Sequence, residues 1–228
     1  MRTASIALLS LVLASWAAAG TREVSLSLPL KPKLALTGRE RIYLGPFLRE
    51  AAGDEAGPKL RFDVAAEFDR YLRRLLRKET KLNLLPALPD VEPPTLDTLE
   101  LPKRSDFWRE LGRRSGADYI VAGSIDFRVE DRSGYKTEEY TSPLDGRTYY
   151  RQVMVEQTGF TYDILLLVLD ARTGQPVLEE PLKDFQERQE RSFDEFTGMF
   201  ANLFALENQL IGIFVPRTVK SKRVIFTP

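Results

Sequence analysis

The sequence predicts an α/β (α+β) fold: a single domain in which a mixed β-sheet carries packed helices and extends a protruding β-hairpin. Three observations predict it. Segments of period-2 alternation are interleaved with segments of 3.6-residue apolar spacing, as a sheet covered by helices requires. Two long strand-like runs, Tyr119–Glu130 and Phe160–Leu169, flank a charged stretch centred on Asp145-Gly146, a strong hairpin-turn signal. The 228 residues show no internal repeat and no domain-splitting linker.

The elements follow in order. Residues 20–39 read as an extended arm, because Val24, Leu26, Leu28 and Leu30 alternate with Glu23, Ser25, Ser27 and Pro29. Pro29 and Pro32 confine it to an edge, since proline cannot donate to a central ladder. Arg41–Phe47 is the first core strand, with Gly45-Pro46 ending it in a turn, and Ala52–Pro58 reads as a loop. Asp63 is placed to cap a helix whose Val64, Phe68, Leu72, Leu75 and Leu76 share one face. Leu82–Leu85 forms a short strand, and five prolines make 86–102 a surface loop.

Ser105 is expected to cap a second helix carrying Phe107, Trp108 and Leu111 and stopped by Ser115-Gly116. In the long strand after it, Ile125, Phe127 and Val129 point one way and Ser124, Asp126, Arg128 and Glu130 the other. Ile164–Leu169 is apolar on both faces, as a central strand should be, and Val177–Gln189 returns antiparallel after the turn Asp170–Gly174. Ser192-Phe193-Asp194-Glu195 reads as a capping box for the longest helix, with Phe196, Met199, Phe200, Leu203, Leu206, Leu210, Ile213 and Phe214 on a wide apolar face. Residues 215–228 read as a basic tail with a short strand at Val224–Phe226.

Composition narrows the chemistry. The chain has no Cys and no His, and 33 Lys+Arg balance 33 Asp+Glu. These counts leave no thiol or imidazole for nucleophilic catalysis, general base work or zinc ligation. The balanced charge argues against nucleic acid, which is usually met by a basic excess. Residues 1–19 have the order of an export signal: Arg2, the apolar Ile6–Ala14 run, then Ala17-Ala18-Ala19 for a peptidase. Export in a bacterial setting places the chain in the periplasm, with association at the outer membrane. A lipid-anchored form is not expected without a cysteine.

Three pieces carry a family resemblance: Tyr43-Leu44-Gly45-Pro46-Phe47, Gly116-Ala117-Asp118-Tyr119-Ile120-Val121-Ala122-Gly123-Ser124-Ile125, and Asp170-Ala171-Arg172-Thr173-Gly174. Over residues 40–214 the chain resembles the periplasmic domain of curli-secretion-channel (CsgG-type) proteins, the N-terminal domain of TolB and the LpoB-type synthase activators. The resemblance implies an α/β domain without catalysis that assembles channels, docks partners or supports transport across the envelope. Channel-forming relatives are lipoproteins with lipid-facing hairpins. Here Asp131–Gln157 is dense in charge, and burying those charges in lipid costs several kcal/mol each.

The candidate functional element is therefore the 131–159 hairpin, a protein-contacting arm built on Tyr135, Tyr140, Asp145, Gly146, Arg147, Tyr149, Tyr150 and Arg151. Tyr and Arg concentrate at interface hot spots, while tyrosines on a hairpin also pair with each other across the strands. Asp126, Asp163 and Asp184 would offer acid–base or divalent-cation chemistry if their strands brought them together. The Arg70–Lys78 helix face would suit an acidic partner or anionic headgroups, and Arg217, Lys220, Lys222 and Arg223 would give at most weak peripheral membrane contact. The function expected is a non-enzymatic structural or adaptor role in envelope secretion, transport or assembly, with envelope proteins or copies of itself as partners. No cofactor, metal or catalytic residue is assigned. The alternatives are regulation of a peptidoglycan synthase and a carboxylate-dependent periplasmic hydrolase or metal-binding enzyme.

Overall fold

The computed structural model describes residues 20–49, 60–189 and 194–227. The export signal at 1–19, the loop at 52–58 and Ser192 of the capping box lie outside the described residues. In chain order the elements are β1 (Gly20–Leu30), β2 (Arg41–Arg49), α1 (Val64–Glu79), β3 (Asn83–Leu84), α2 (Ser105–Ser115) and β4 (Tyr119–Asp131). Then come β5 (Gly134–Thr141), β6 (Thr148–Val155), β7 (Thr158–Asp170), β8 (Pro176–Arg188), α3 (Glu195–Phe214) and β9 (Arg217–Thr227). This is the mixed α+β architecture that the sequence predicts.

Residues 31–215 form one unit around a five-stranded sheet of order β3-β2-β4-β7-β8. β2 is parallel to β3 and β4, while β4, β7 and β8 are antiparallel neighbours. Alternation along β4 and β7 assigns the two faces. Val121, Ile125, Phe127, Phe160, Tyr162, Ile164, Leu166 and Val168 are buried in the cluster that also takes residues of α1 and α3. Ile120, Ala122, Leu167 and Leu169 point the other way, into a smaller cluster closed by Trp108 and Leu111 of α2. Trp108 is fully buried, and its indole N–H donates to the Leu101 carbonyl at 2.8 Å, so its polar handle is satisfied inside the core.

Two of the three resembling motifs meet at one end of the sheet, where the Ala171 N–H donates to the Asp118 carbonyl at 3.0 Å, while Tyr43–Phe47 runs along β2. Asp118 accepts from the Arg41 backbone N–H at 2.8 Å and from its guanidinium at 3.1 and 3.2 Å, locking the starts of β2 and β4 together. The Arg41 guanidinium and backbone N–H together hold the Asp118 carboxyl below the usual carboxylate range. Gly116 ends α2 in the left-handed conformation at φ 67°, a position that favours glycine. At the β7–β8 turn, Asp170 accepts from the Arg172 and Thr173 backbones at 2.9 and 2.8 Å.

Helix starts were half legible. Asp63 caps α1 as the sequence predicts, accepting from Ala66 N–H at 3.1 Å. Ser105 does not cap α2. It is the first helical residue, and Arg104 holds the cap position with no side-chain hydrogen bond. The cap of α3 is Asp194, which accepts from Thr197 N–H at 3.3 Å.

Two further corrections concern strands. Gly45-Pro46 does not end β2, which continues to Arg49. The register against β4 slips between Leu44 and Phe47, so Gly45 and Pro46 form a bulge, where proline's missing donor costs no ladder bond. The Leu44 carbonyl freed there accepts from the Arg73 guanidinium of α1 at 2.9 Å. The basic tail is not merely a short strand at 224–226. Its eleven-residue β9 pairs antiparallel with the arm strand β1, from Gly20 opposite Thr227 to Leu30 opposite Arg217. This two-stranded ribbon is a unit of its own. Val24, Leu26, Leu28 and Leu30 share one of its faces, and Ser25, Ser27, Lys220 and Lys222 the other.

Candidate functional site

The hairpin predicted from Asp145-Gly146 is present and is continuous with the sheet. β4 and β7 pair down to Asp131 opposite Thr158, the Arg132 N–H donates to the Gln157 carbonyl at 2.8 Å, and β5 and β6 resume at Gly134 opposite Val155 in the same register. Only the short step at 132–133 separates the two ladders. At roughly 3.3 Å per residue, the stretch from 132 to 141 carries the tip about 30 Å past the end of the β4–β7 ladder. Among the described residues, β5 and β6 pair only with each other.

The turn is built by local hydrogen bonds. Ser142 N–H donates to the Arg147 carbonyl and Gly146 N–H to the Ser142 carbonyl, each at 2.9 Å. Gly146 sits at φ 66°, in the region that glycine adopts without strain. Asp145 accepts from the Arg147 N–H at 3.1 Å and from the Tyr149 hydroxyl at 2.5 Å. These bonds, the Tyr149 hydroxyl first, hold the Asp145 carboxyl below its usual range, and the same bond raises the Tyr149 phenol.

Asp145, Gly146 and Arg147 of the eight predicted residues lie in the turn, and strict alternation divides the other five between two faces. On the first, Tyr140 lies opposite Tyr149 with ring centroids 5.9 Å apart. Arg151 stands over the Tyr140 ring at 5.3 Å and pairs with Glu138 at 3.4 Å. This face satisfies itself, in the cross-strand pairing that hairpin tyrosines favour.

The second face carries Tyr135 opposite Met154 and Tyr150 opposite Glu139. Here the rings are open to solvent, Tyr135 77% and Tyr150 71% exposed, with Met154 at 56%. Leu144 at the tip is 97% exposed. Sequence reading did not single out Met154 or Leu144. The signal for Met154 was its register opposite Tyr135, which becomes readable once the turn is fixed. The hairpin is thus an arm with one self-paired face and one face of open aromatic and apolar side chains.

The three carboxylates do not converge. Asp126 and Asp163 are direct cross-strand neighbours on the α2 side of the sheet. Asp126 is held by Arg128 at 2.8 Å and Asp163 by Lys183. Asp184 is opposite Tyr162, so it lies on the other face, where Gln186 donates to it at 3.0 Å. No group of three or more acidic residues that could hold a metal ion occurs among the described residues. Among them, no helix is long and apolar enough to cross a membrane.

No protein-family model matches the chain, and no curated protein matches it. Solved structures do. Hypothetical protein CT253 from Chlamydia trachomatis is 17% identical with a TM-score of 0.41, over 75% of this chain and 93% of that chain. Lipoprotein GNA1162 from Neisseria meningitidis is 14% identical with a TM-score of 0.37, over 75% and 98%. The PelC dodecamer from Paraburkholderia phytofirmans is 13% identical with a TM-score of 0.41, over 85% and 100%.

Proposed function

We propose that this chain is a non-enzymatic, exported component of a bacterial cell-envelope secretion, transport or assembly system, of the CsgG-type, TolB N-terminal-like or LpoB-like kind. It acts in the periplasm by docking protein partners through the β5–β6 hairpin. One observation carries the reading: a hairpin in unbroken register with the sheet presents Tyr135, Tyr150 and Met154 to solvent on one face and spends its other face on itself. Aromatic side chains have few rotatable bonds to immobilise on contact, which is what an interface anchor needs. Asp126 and Asp163 are already paired with cations, which fits a role without acid–base chemistry.

The test is a photo-crosslinking residue at position 144, introduced in cells and followed by identification of the captured protein. Capture of an envelope protein, lost on Tyr135→Ala with Tyr150→Ala while Tm stays within about 2 °C of wild type, is the expected result. Loss of capture accompanied by a large fall in Tm would show that these rings serve the fold instead.

A further inference from the structure

A second surface, separate from the hairpin, runs along the seam between α1 and α3. Contacts along the two helices advance together: Phe62 against Phe196 at 5.3 Å, then Tyr71 against Phe200 and Phe204 at 5.9 and 6.0 Å. The helices therefore lie side by side in the same direction. On α3, Phe196, Phe200 and Phe204 follow one another at one-turn steps, with centroids 4.8 and 6.5 Å apart. They form a ridge. Phe200 packs against the core cluster, whereas Phe196 and Phe204 on either side of it stay 38% and 61% exposed, although Leu203, Leu206 and Leu210 already bury that helix.

Parallel to the ridge, α1 carries a row of cations. Arg70 pairs with Glu67 and Lys78 with Glu79, but Arg74 and Arg77 make no ion pair among the described residues. With Arg73 these residues surround a shallow depression of about 550 Å³. Like charges at one-turn spacing repel, and exposed phenylalanines keep apolar surface in water; one occupant would relieve both.

We propose that this seam docks an acidic amphipathic helix of a partner protein, with its apolar residues against Phe196 and Phe204 and its carboxylates along Arg74 and Arg77. Charge complementarity sets the acidic character. A ridge of side chains at i, i+4 and i+8 is the relief that fits the groove of another helix. Phe200 in the middle of the ridge is half-buried against Tyr71, so the protruding anchors are Phe196 and Phe204, two turns apart along one helix.

The probe is a synthetic amphipathic helix with Leu on one face and Glu on the other, followed by fluorescence anisotropy against the full chain. A Lys-for-Glu copy and phosphatidylglycerol vesicles are the competing ligands. The acidic helix should bind with a Kd of roughly 10–100 μM, and the Lys copy at least about tenfold more weakly. Phe204→Ala, and Arg74→Glu with Arg77→Glu, should each weaken binding by about tenfold or more with Tm unchanged, while Tyr150→Ala on the hairpin leaves it intact. Equal binding of the two peptides, absence of binding, insensitivity to these substitutions, or preference for the vesicles would each overturn the assignment without touching the role of the hairpin.

Discussion

Tyr162 shows how far a single side chain can be judged from its surroundings. It is fully buried between Phe127 at 5.5 Å and Phe68 at 6.4 Å, and its hydroxyl has no hydrogen-bond partner among the described residues. Burial, with Tyr71 adding to it, pushes the phenol pKa up, so the ring stays neutral at any working pH. An unpaired hydroxyl in an apolar core is a desolvation cost with no return. Tyr162→Phe should therefore be neutral or stabilising by up to about 1 kcal/mol, whereas Tyr162→Ala should cost roughly 3–5 kcal/mol, both read from urea unfolding midpoints. A loss above about 1 kcal/mol for the Phe variant would mean that the hydroxyl is bonded. The sequence shows Tyr162 only as one position in a strand run. Its isolation from polar partners depends on which rings the helices bring over it, and no local pattern carries that. The two faces of the hairpin differ in the same way: alternation separates Tyr140 and Tyr149 from Tyr135 and Tyr150, but not which pair is satisfied.

Elements were most legible where one short-range rule decided them. Asp145-Gly146 between alternating runs fixes a hairpin, and the 3.6 spacing from Val64 to Leu76 fixes α1, because both rules act within a dozen residues. Gly45-Pro46 is ambiguous in sequence because the same dipeptide serves a turn or a bulge, and only the neighbouring strand chooses. The neighbour here is β4, whose Gly123 is paired with Phe47 just past the bulge. Gly123 holds φ 155°, which side-chain-bearing residues rarely adopt, and a Cβ there would lie 1.8 Å from the Leu165 carbonyl oxygen of β7. Gly123→Ala should cost about 1–3 kcal/mol through backbone strain and displacement of the Leu165 carbonyl. Gly134, at the start of β5, has nothing within 4 Å of its would-be Cβ, so Gly134→Ala should stay within about 0.5 kcal/mol of wild type. Comparable losses for both substitutions in thermal unfolding would show that the close approach at Gly123 is not what requires glycine.

For the whole molecule, the pairing least visible in sequence is the one between its two ends. β1 begins at Gly20 and β9 ends at Thr227, and nothing local to either announces the other. The alternation of Val24, Leu26, Leu28 and Leu30 gave the strand but not its partner. A two-stranded ribbon is marginally stable in water by itself, and three or more strands or a covering element are usually needed. Both core clusters, by contrast, lie within residues 31–215, as do all five strands of the main sheet. Stability should therefore divide along the same line. Removing residues 216–228 should leave the unfolding transition of 31–215 within about 1 kcal/mol of wild type, while the amides of 22–30 lose their protection from hydrogen exchange. In the intact chain the same amides should exchange faster than those of β4 and β7, which open only with the core. A fall in Tm of more than about 4 °C on removing the tail would mean that the ribbon is coupled to the core and unfolds with it.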